Sequence, residues 1–438
     1  MTQQSESTTT TSTPTSKSTP TSKPTTSTSA SASASASAGA SASASTTTTT
    51  TSTKEADDPV SSPAQAAAVQ VSSADSLGPA DSLVPALPPG PALPPGPADP
   101  FAPADPLVPV GPLAEPRPLG ETRVWPRSFA DRLTAPLPGL RAFARFAREG
   151  ALRPGSEGLA DIPLVPFEPG PLPQVEARTA AVSWAGHASW VIRIGGLTVL
   201  TDPVWSRKIL GTPARITPVG VAWSALPRVD AVVISHNHYD HLDAPTLRRL
   251  PRDTPVFVPA GLGRWFRRRR FTRVTELDWW EAAELRGVRF DFVPAHHWSK
   301  RTLTDTCRTL WGGWVLTAPE GRRVYFAGDT GYGHWFSRIG RRYPGIDLAL
   351  LPIGAYDPRW WLSDVHCDPE EAVQAALDLG AHRMAPMHWG TFVLSAEPVL
   401  EPLTRVRAAW EKAGLAREDL WDVPVGGSRV LRVSTSGV

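Results

Sequence analysis

The chain has 438 residues, in which 44 Lys and Arg face 42 Asp and Glu for a formal net charge of +2, and it holds only two cysteines. That length allows one large domain or two ordinary ones, and the near-balance of charge singles out no class of partner. Cys307 and Cys367 have no Cys-x-x-Cys companion and no run of 18 apolar residues occurs, which argues against a disulfide scaffold and against a membrane span.

Residues 1–119 are Thr/Ser runs ("SASASASAGASASAS") followed by Pro/Ala/Gly-rich text ("VPALPPGPALPPGPADP"). They contain no Trp, Tyr or His, and Phe101 is their one Phe. Such text cannot bury enough apolar surface to offset roughly 1–2 kcal/mol of backbone entropy per ordered residue. A disordered tail and a stiffer Pro-rich spacer are therefore expected over 1–119, with one folded domain over 120–438. No basic segment followed by an apolar stretch opens the chain, so the expectation is a cytoplasmic protein. Arg outnumbers Lys 38 to six, in keeping with a GC-rich bacterial genome.

Next comes "PGLRAFARFAREGAL", which as a helix puts Leu140, Phe143, Ala144 and Ala147 on one stripe and Arg141, Arg145 and Arg148 on another. A basic amphipathic helix can lie in an anionic interface, which would add peripheral contact at the inner face of the membrane. A packed helix with a solvated basic face is the alternative. "TAAVSWAGHASWVIRIGGLTVLTD" reads as two or three strands turning at Gly195 and Gly196, and "VDAVVIS", "TPVFVP", "VRFDFVP", "WGGWVLTA", "RVYFAGD", "IDLALLPIG" and "RMAPMHW" read as further strands. Helical patterns fall at 244–250, 261–270, 333–342, 369–379 and 401–413. Asp368-Pro369-Glu370-Glu371 has the form of a capped helix start. Strands alternating with helices indicate an α/β class.

After "AVVIS" stands "HNHYDHLD", which gathers three of the chain's ten histidines, His236, His238 and His241, around Asp240. A strand's C-terminal end and the loop after it are where α/β proteins assemble ligand chemistry. In extended chain His236 and His238 point the same way, and the turn lets Asp240 and His241 face the same cavity. Imidazoles with a carboxylate suit Zn²⁺; histidines of a polar surface loop that ligate nothing are the other reading. More donors come from His296 and His297 in "PAHHWSKR", Asp329 in "FAGDTGYG" and His388 in "APMHWGTF", each just past a strand. His187 in "WAGHASW", Asp202 and Asp243 read as orienting or loop-fixing groups, and His334 and His382 as bystanders.

The set His236-x-His238-x-Asp240-His241 with His297, Asp329 and His388 resembles the metallo-β-lactamase superfamily. The stretches "ELDWWE", "HWSKRTLTD", "LWGGW", "PIGAYDPRWW", "HCDPEEAV" and "HWGTF", within about 180–400, resemble the N-acyl-phosphatidylethanolamine-hydrolysing phospholipase D family. The resemblance does not reach the first 120 residues. It implies an αββα sandwich with two Zn²⁺ per chain. One would be held by His236, His238 and His297, the histidine that immediately precedes Trp298. The other would be held by Asp240, His241 and His388, with Asp329 bridging. It implies attack at phosphorus by a hydroxide shared between ions ~3.5–4 Å apart, releasing an N-acylethanolamine and leaving phosphatidic acid. Asp240 and Asp329 then count as catalytic with His366, which matches an active-site histidine that could position phosphate or protonate the leaving oxygen. Tyr356, Trp360 and Trp361 would join His366 on the substrate side, although core packing explains the aromatics equally well. The family further implies a phospholipid partner and a homodimer. "RWFRRRRFTR", with Arg267–Arg270 beside Trp265, Phe266 and Phe271, is a second candidate for membrane contact, again with a packed helix and solvated basic face as the alternative. A nuclease would also welcome the arginines, but "PIGAYDPRWW" favours lipid over nucleic acid; a lactonase could use the same ions.

Overall fold

A computed structural model of the chain describes residues 112–150 and 153–431. The Thr/Ser/Ala tail and nearly all of the Pro-rich spacer, expected to be disordered, lie outside the described residues. In chain order the strands are β1 (Pro116–Arg117), β2 (Ala180–Gly186), β3 (Ser189–Ile194), β4 (Leu197–Thr201), β5 (Ala231–Val233), β6 (Val256–Pro259) and β7 (Val274–Leu277). There follow β8 (Ala282–Leu285), β9 (Val288–Val293), β10 (Gly313–Thr317), β11 (Arg323–Phe326), β12 (Leu348–Pro352), β13 (Met384–Met387) and β14 (Ser428–Leu431). The helices are α1 (Leu140–Arg148), α2 (Ser156–Ala160), α3 (Ala244–Leu247), α4 (Gly263–Arg267), α5 (Trp335–Arg342), α6 (Arg359–Leu362), α7 (Pro369–Asp378) and α8 (Glu401–Lys412).

The strands form two mixed sheets, ordered β1-β8-β9-β10-β11-β12-β13 and β14-β2-β3-β4-β5-β6-β7. The period-2 pattern of each strand divides its side chains between two apolar environments. In β5 and the residue after it, Ala231 and Val233 enter the core shared with the other sheet. Val232 and Ile234 join Leu247 of α3 and Phe266 of α4 on the outer face. Phe257 of β6 stacks on Phe290 of β9 at 4.2 Å between centroids, so the sheets face one another. Beyond the first sheet α7 packs on β12, with α5 and α8 beside α7. The layers are helix, sheet, sheet, helix: the metallo-β-lactamase fold that the family resemblance implies, where the strand and helix pattern alone indicates only an α/β class.

Local chemistry explains the boundaries. Gly195 and Gly196 both have positive φ (54° and 73°) between the paired Ile194 and Leu197, the geometry of a two-residue turn matched to strand twist. Asp368 accepts from the Glu371 N–H while the Glu371 carboxylate returns to the Asp368 N–H, so α7 starts with both ends of a capping box satisfied. The chain enters the first sheet at Pro116–Arg117, ahead of residue 120, where Arg117 and Arg123 both engage Glu281. Among the described residues no helix is long and apolar enough to cross a membrane.

Candidate metal centre

β4 and β5 run parallel, and both deliver chain to the same edge of the sandwich. Asp202 follows β4 there, fully buried. Its carboxylate accepts from the Ser235 N–H (2.7 Å), the Ser235 hydroxyl (2.5 Å) and His241 Nδ1 (2.7 Å). One carboxylate thus fixes the start of the histidine loop and the ring of its last histidine.

Two groups of donor atoms converge on this edge. In the first, His236 Nε2 lies 2.8 Å from His238 Nδ1, which lies 3.3 Å from His297 Nε2. In the second, Asp240 Oδ2 lies 3.3 Å from His241 Nε2 and 3.5 Å from His388 Nε2, and the two nitrogens are 3.3 Å apart. Asp329 reaches both. Its Oδ2 is 3.8 Å from His236 Nε2, 3.9 Å from His297 Nε2 and 3.1 Å from His241 Nε2, while Oδ1 is 3.0 Å from His388 Nε2.

The remaining ring nitrogens show which atoms are free to ligate. His236 Nδ1 donates to the Ser235 hydroxyl, His241 Nδ1 to Asp202 and His297 Nδ1 to the Val365 carbonyl at 3.1 Å. His236 and His297 thus keep their proton on Nδ1 and turn the Nε2 lone pair inward, and Asp202 orients the His241 ring so that its Nε2 faces the same way, the arrangement that outer carboxylates and carbonyls impose on metal-ligating histidines. Burial holds His236 and His297 well below the ordinary imidazole value and brings His238 to about 4, so these three are neutral near pH 7, as ligands must be. Burial also opposes charge on His241, but Asp329 and Asp240 outweigh it and raise His241 well above the usual value. His388 is pushed up to about 9 against its burial, chiefly by Asp329. Desolvation works to raise the carboxyls of Asp240 and Asp329, yet the histidine charges around them hold both well below the usual carboxylate range. Buried nitrogen and carboxylate donors aimed at two common points, with orienting partners behind them, are the donor chemistry that a pair of divalent ions requires.

The backbone is strained at this edge. His187 (φ 57°), Asp202 (φ 32°) and His388 (φ 64°) adopt conformations that L residues rarely visit, a cost that folded proteins concentrate where function demands it. His187 Nε2 meets Asp240 Oδ2 at 3.0 Å and the His388 N–H donates to the His187 carbonyl, so His187 braces the second group from behind.

His366 sits four residues beyond α6, its ring 5.3 Å from that of His297 and 5.4 Å from that of His388, and its buried Nδ1 has no hydrogen-bond partner among the described residues. Burial brings its imidazole to about 4. His296 points away from the donors, with Nδ1 2.8 Å from the Thr134 hydroxyl. Tyr356 is buried, donates to Glu401 at 2.8 Å and lies under Arg405, so its hydroxyl is committed away from the donors. Trp360 and Trp361 meet α1: Arg145 lies 3.9 Å over Trp360, whose Nε1 donates to Glu149, and Phe146 stacks on Trp361 at 4.8 Å. Phe146, outside the stripe expected from the helical pattern, is buried, while Ala144 and Ala147 of that stripe are exposed; the side chains of Leu140 and Phe143 lie outside those described.

Arg301 was not singled out from the sequence. Its guanidinium donates to the carbonyls of Asn237 (3.1 Å) and His238 (3.4 Å) and covers the Tyr239 ring at 4.0 Å, clamping the loop that carries the first donors. Its position four residues after His297, within "HWSKRTLTD", is the one sequence signal that marks it.

Fold and site together define a hydrolase that depends on bound metal. Residues 198–389 match the model of the beta-lactamase superfamily domain. An uncharacterized protein of Mycobacterium tuberculosis is 42% identical over 296 residues, 65% of this chain and 75% of that protein. The N-acyl-phosphatidylethanolamine-hydrolyzing phospholipase D 1 of Caenorhabditis elegans is 37% identical over 258 residues, 55% of this chain and 71% of that protein. A metal-dependent hydrolase of Nitratidesulfovibrio vulgaris is 32% identical over 232 residues, 51% of this chain and 83% of that protein. The chain belongs to the metallo-β-lactamase superfamily and is a metal-dependent hydrolase. Within that superfamily it is similar to N-acyl-phosphatidylethanolamine-hydrolysing phospholipase D.

Proposed function

We propose that the domain over 120–438 is a dizinc phosphodiesterase that hydrolyses N-acyl-phosphatidylethanolamine-like phospholipids to an N-acylethanolamine and phosphatidic acid. The observation that carries this reading is the pair of donor groups joined by Asp329, in a chain similar to an enzyme named for that hydrolysis. His236, His238 and His297 would hold one ion, Asp240, His241 and His388 the other, with Asp329 serving both. When bound, two such ions bring the pKa of water toward ~7 and neutralise the oxygens of a phosphodiester.

The chain's own residues do the rest. Asp240, braced by His187, and Asp329 fix the charge on the two sides of the centre. The unpartnered Nδ1 of His366 is the group able to hydrogen-bond a phosphoryl or leaving oxygen arriving beside His297 and His388. A bilayer substrate also needs an approach. Next to His238 a shallow depression of about 350 Å³ is lined by Trp298, Lys300, Arg301 and Leu303, with Leu303 93% exposed. Arg269 lies 3.6 Å over Trp265, which Arg301 also faces, so cations and apolar tips flank one mouth and suit an anionic phospholipid surface.

Hydrolysis in ¹⁸O-labelled water tests the reaction. Label recovered in phosphatidic acid, with none in the N-acylethanolamine, is the expected result. Label in a released fatty acid would mean carbonyl chemistry and defeat the proposal.

A further inference from the structure

We infer that the pole of the sandwich opposite the metal centre holds a second site, which binds a phosphate monoester carrying an apolar alkyl body. A cavity of about 590 Å³ opens there. Its wall is built from the residues that precede β5, β6 and β7, namely Val229 and Asp230, Thr254 and Pro255, and Arg273, together with Leu285 and Arg286 at the β8–β9 turn. Since β4 to β7 are parallel and the histidine loop leaves the C-terminal end of β5, this cavity lies at the far ends of the same strands. It shares no lining residue with the metal centre and spans both sheets.

Its charge is one-sided. Arg228, Arg249, Arg273 and Arg286 face two carboxylates, Asp230 and Asp253, an excess of two positive charges that matches the dianion of a phosphate monoester. Two of the guanidiniums are already placed: Arg249 lies 4.2 Å over Trp223, and Arg286 is held by Asp230 at 2.5 Å. Arg228 and Arg273 are exposed. Guanidinium forks that face a common cavity suit the oxygens of a phosphate. Between the charges the lining is aliphatic, with Leu226, Leu250, Leu285 and Pro251. Arg249 covers one face of the Trp223 ring, and Trp205 packs perpendicular to it at 5.6 Å, so the aliphatic side chains form most of the apolar lining. The body that fits is an alkyl chain rather than a stacked base.

The turn adds an independent observation. Leu285 pairs with Val288, so Arg286 and Gly287 form a two-residue loop with φ of 51° and 82°. Asn-Gly is the favoured pair in such a turn, and an arginine in the left-handed region is uncommon. The hairpin accepts a disfavoured residue where its guanidinium reaches the cavity rim.

The test is titration calorimetry of the full chain with its metals, using octyl phosphate, inorganic phosphate and adenosine monophosphate. Octyl phosphate is expected to bind at least about tenfold more tightly than the other two. Arg228→Ala/Arg273→Ala should weaken it by at least about tenfold, from the loss of two charge-assisted contacts. Melting temperature and turnover of bis-p-nitrophenyl phosphate should be unchanged in that variant. Arg286→Asn should keep or raise hairpin stability while weakening binding, a divergence that a purely structural arginine would not give. Equal binding of octyl phosphate by parent and double variant would overturn the site. Preference for adenosine monophosphate, or equal affinity for inorganic phosphate, would overturn the ligand class.

Discussion

Replacing Asp202 tests whether one buried carboxylate organises the metal centre without touching a metal. In the parent it accepts three hydrogen bonds, from the Ser235 N–H, the Ser235 hydroxyl and His241 Nδ1, at 2.5–2.7 Å and with no solvent access. Asp202→Ala strands three buried donors, each costing ~1–3 kcal/mol when left unpaired, and leaves an alanine at φ 32°. Allowing for partial relaxation, the loss is ~3–6 kcal/mol, which lowers the melting temperature by about 6–24 °C at ~2–4 °C per kcal/mol. Asp202→Asn separates shape from charge. Asn tolerates the backbone, but its amide NH₂ turned toward His241 would make Nδ1 an acceptor and move the ring proton to Nε2, the atom that faces Asp240 and Asp329. The Asn variant should therefore melt closer to the parent while its metal affinity falls about 10–100-fold. Differential scanning calorimetry and elemental analysis after dialysis against a weak chelator read the two effects. An alanine variant with full metal content, melting within about 2 °C of the parent, would refute the reasoning.

Arg301→Ala should cut turnover about 10–100-fold with little change in melting, and Arg301→Lys should restore only part, because an ammonium cannot fork between the carbonyls of Asn237 and His238. Steady-state kinetics on a soluble diester decides it, and turnover unaltered in the alanine variant would remove Arg301 from the site. Glu281 governs acid stability. Burial pushes its carboxyl up, but hydrogen bonds from Arg123, the Asp278 N–H and Arg117 outweigh that and lower it to about 2. A depressed carboxyl stabilises the fold above its unfolded value of 4.5, and that stability is lost as pH falls toward about 2. After solvent screening the contribution is about 1–2 kcal/mol, so acid unfolding of Glu281→Gln should be flatter across that window than the parent's; superimposable curves would contradict it. Phe146→Ala should release α1 from Trp361 and speed tryptic cleavage within α1 about tenfold, the equivalent of ~1.4 kcal/mol of docking, with the sandwich melting as before. Unchanged cleavage would mean that other contacts hold α1.

Legibility followed the range of the interactions involved. β5 and the loop beyond it could be read because Val232 and Ile234 alternate with Ala231 and Val233, and α7 because its capping box is written in four consecutive residues. β7 could not, because it carries Glu276, which is buried only because the N–H groups of Gly261 and Gly263 and the Arg267 guanidinium meet it from another element. β14 escaped notice as a short edge strand whose Ser428 and Arg429 show no apolar pattern. At the site, residue types and strand-end positions marked the donors, but the geometry depends on distant groups. His296 and His297 are neighbours of the same type. Thr134 and the Val365 carbonyl, far away in sequence, turn one outward and the other inward. The commitment of Tyr356 to Glu401 and the docking of Phe146 on Trp361 are long-range for the same reason.

The most direct measurement is metal analysis of the purified full chain, coupled to turnover of three substrates: N-acyl-phosphatidylethanolamine vesicles, bis-p-nitrophenyl phosphate and a simple lactone. About two zinc ions per chain, with phosphatidic acid released from the vesicles and both lost together in His388→Ala, is the predicted result. A protein that binds no metal, or one that turns over the lactone alone, would contradict the account.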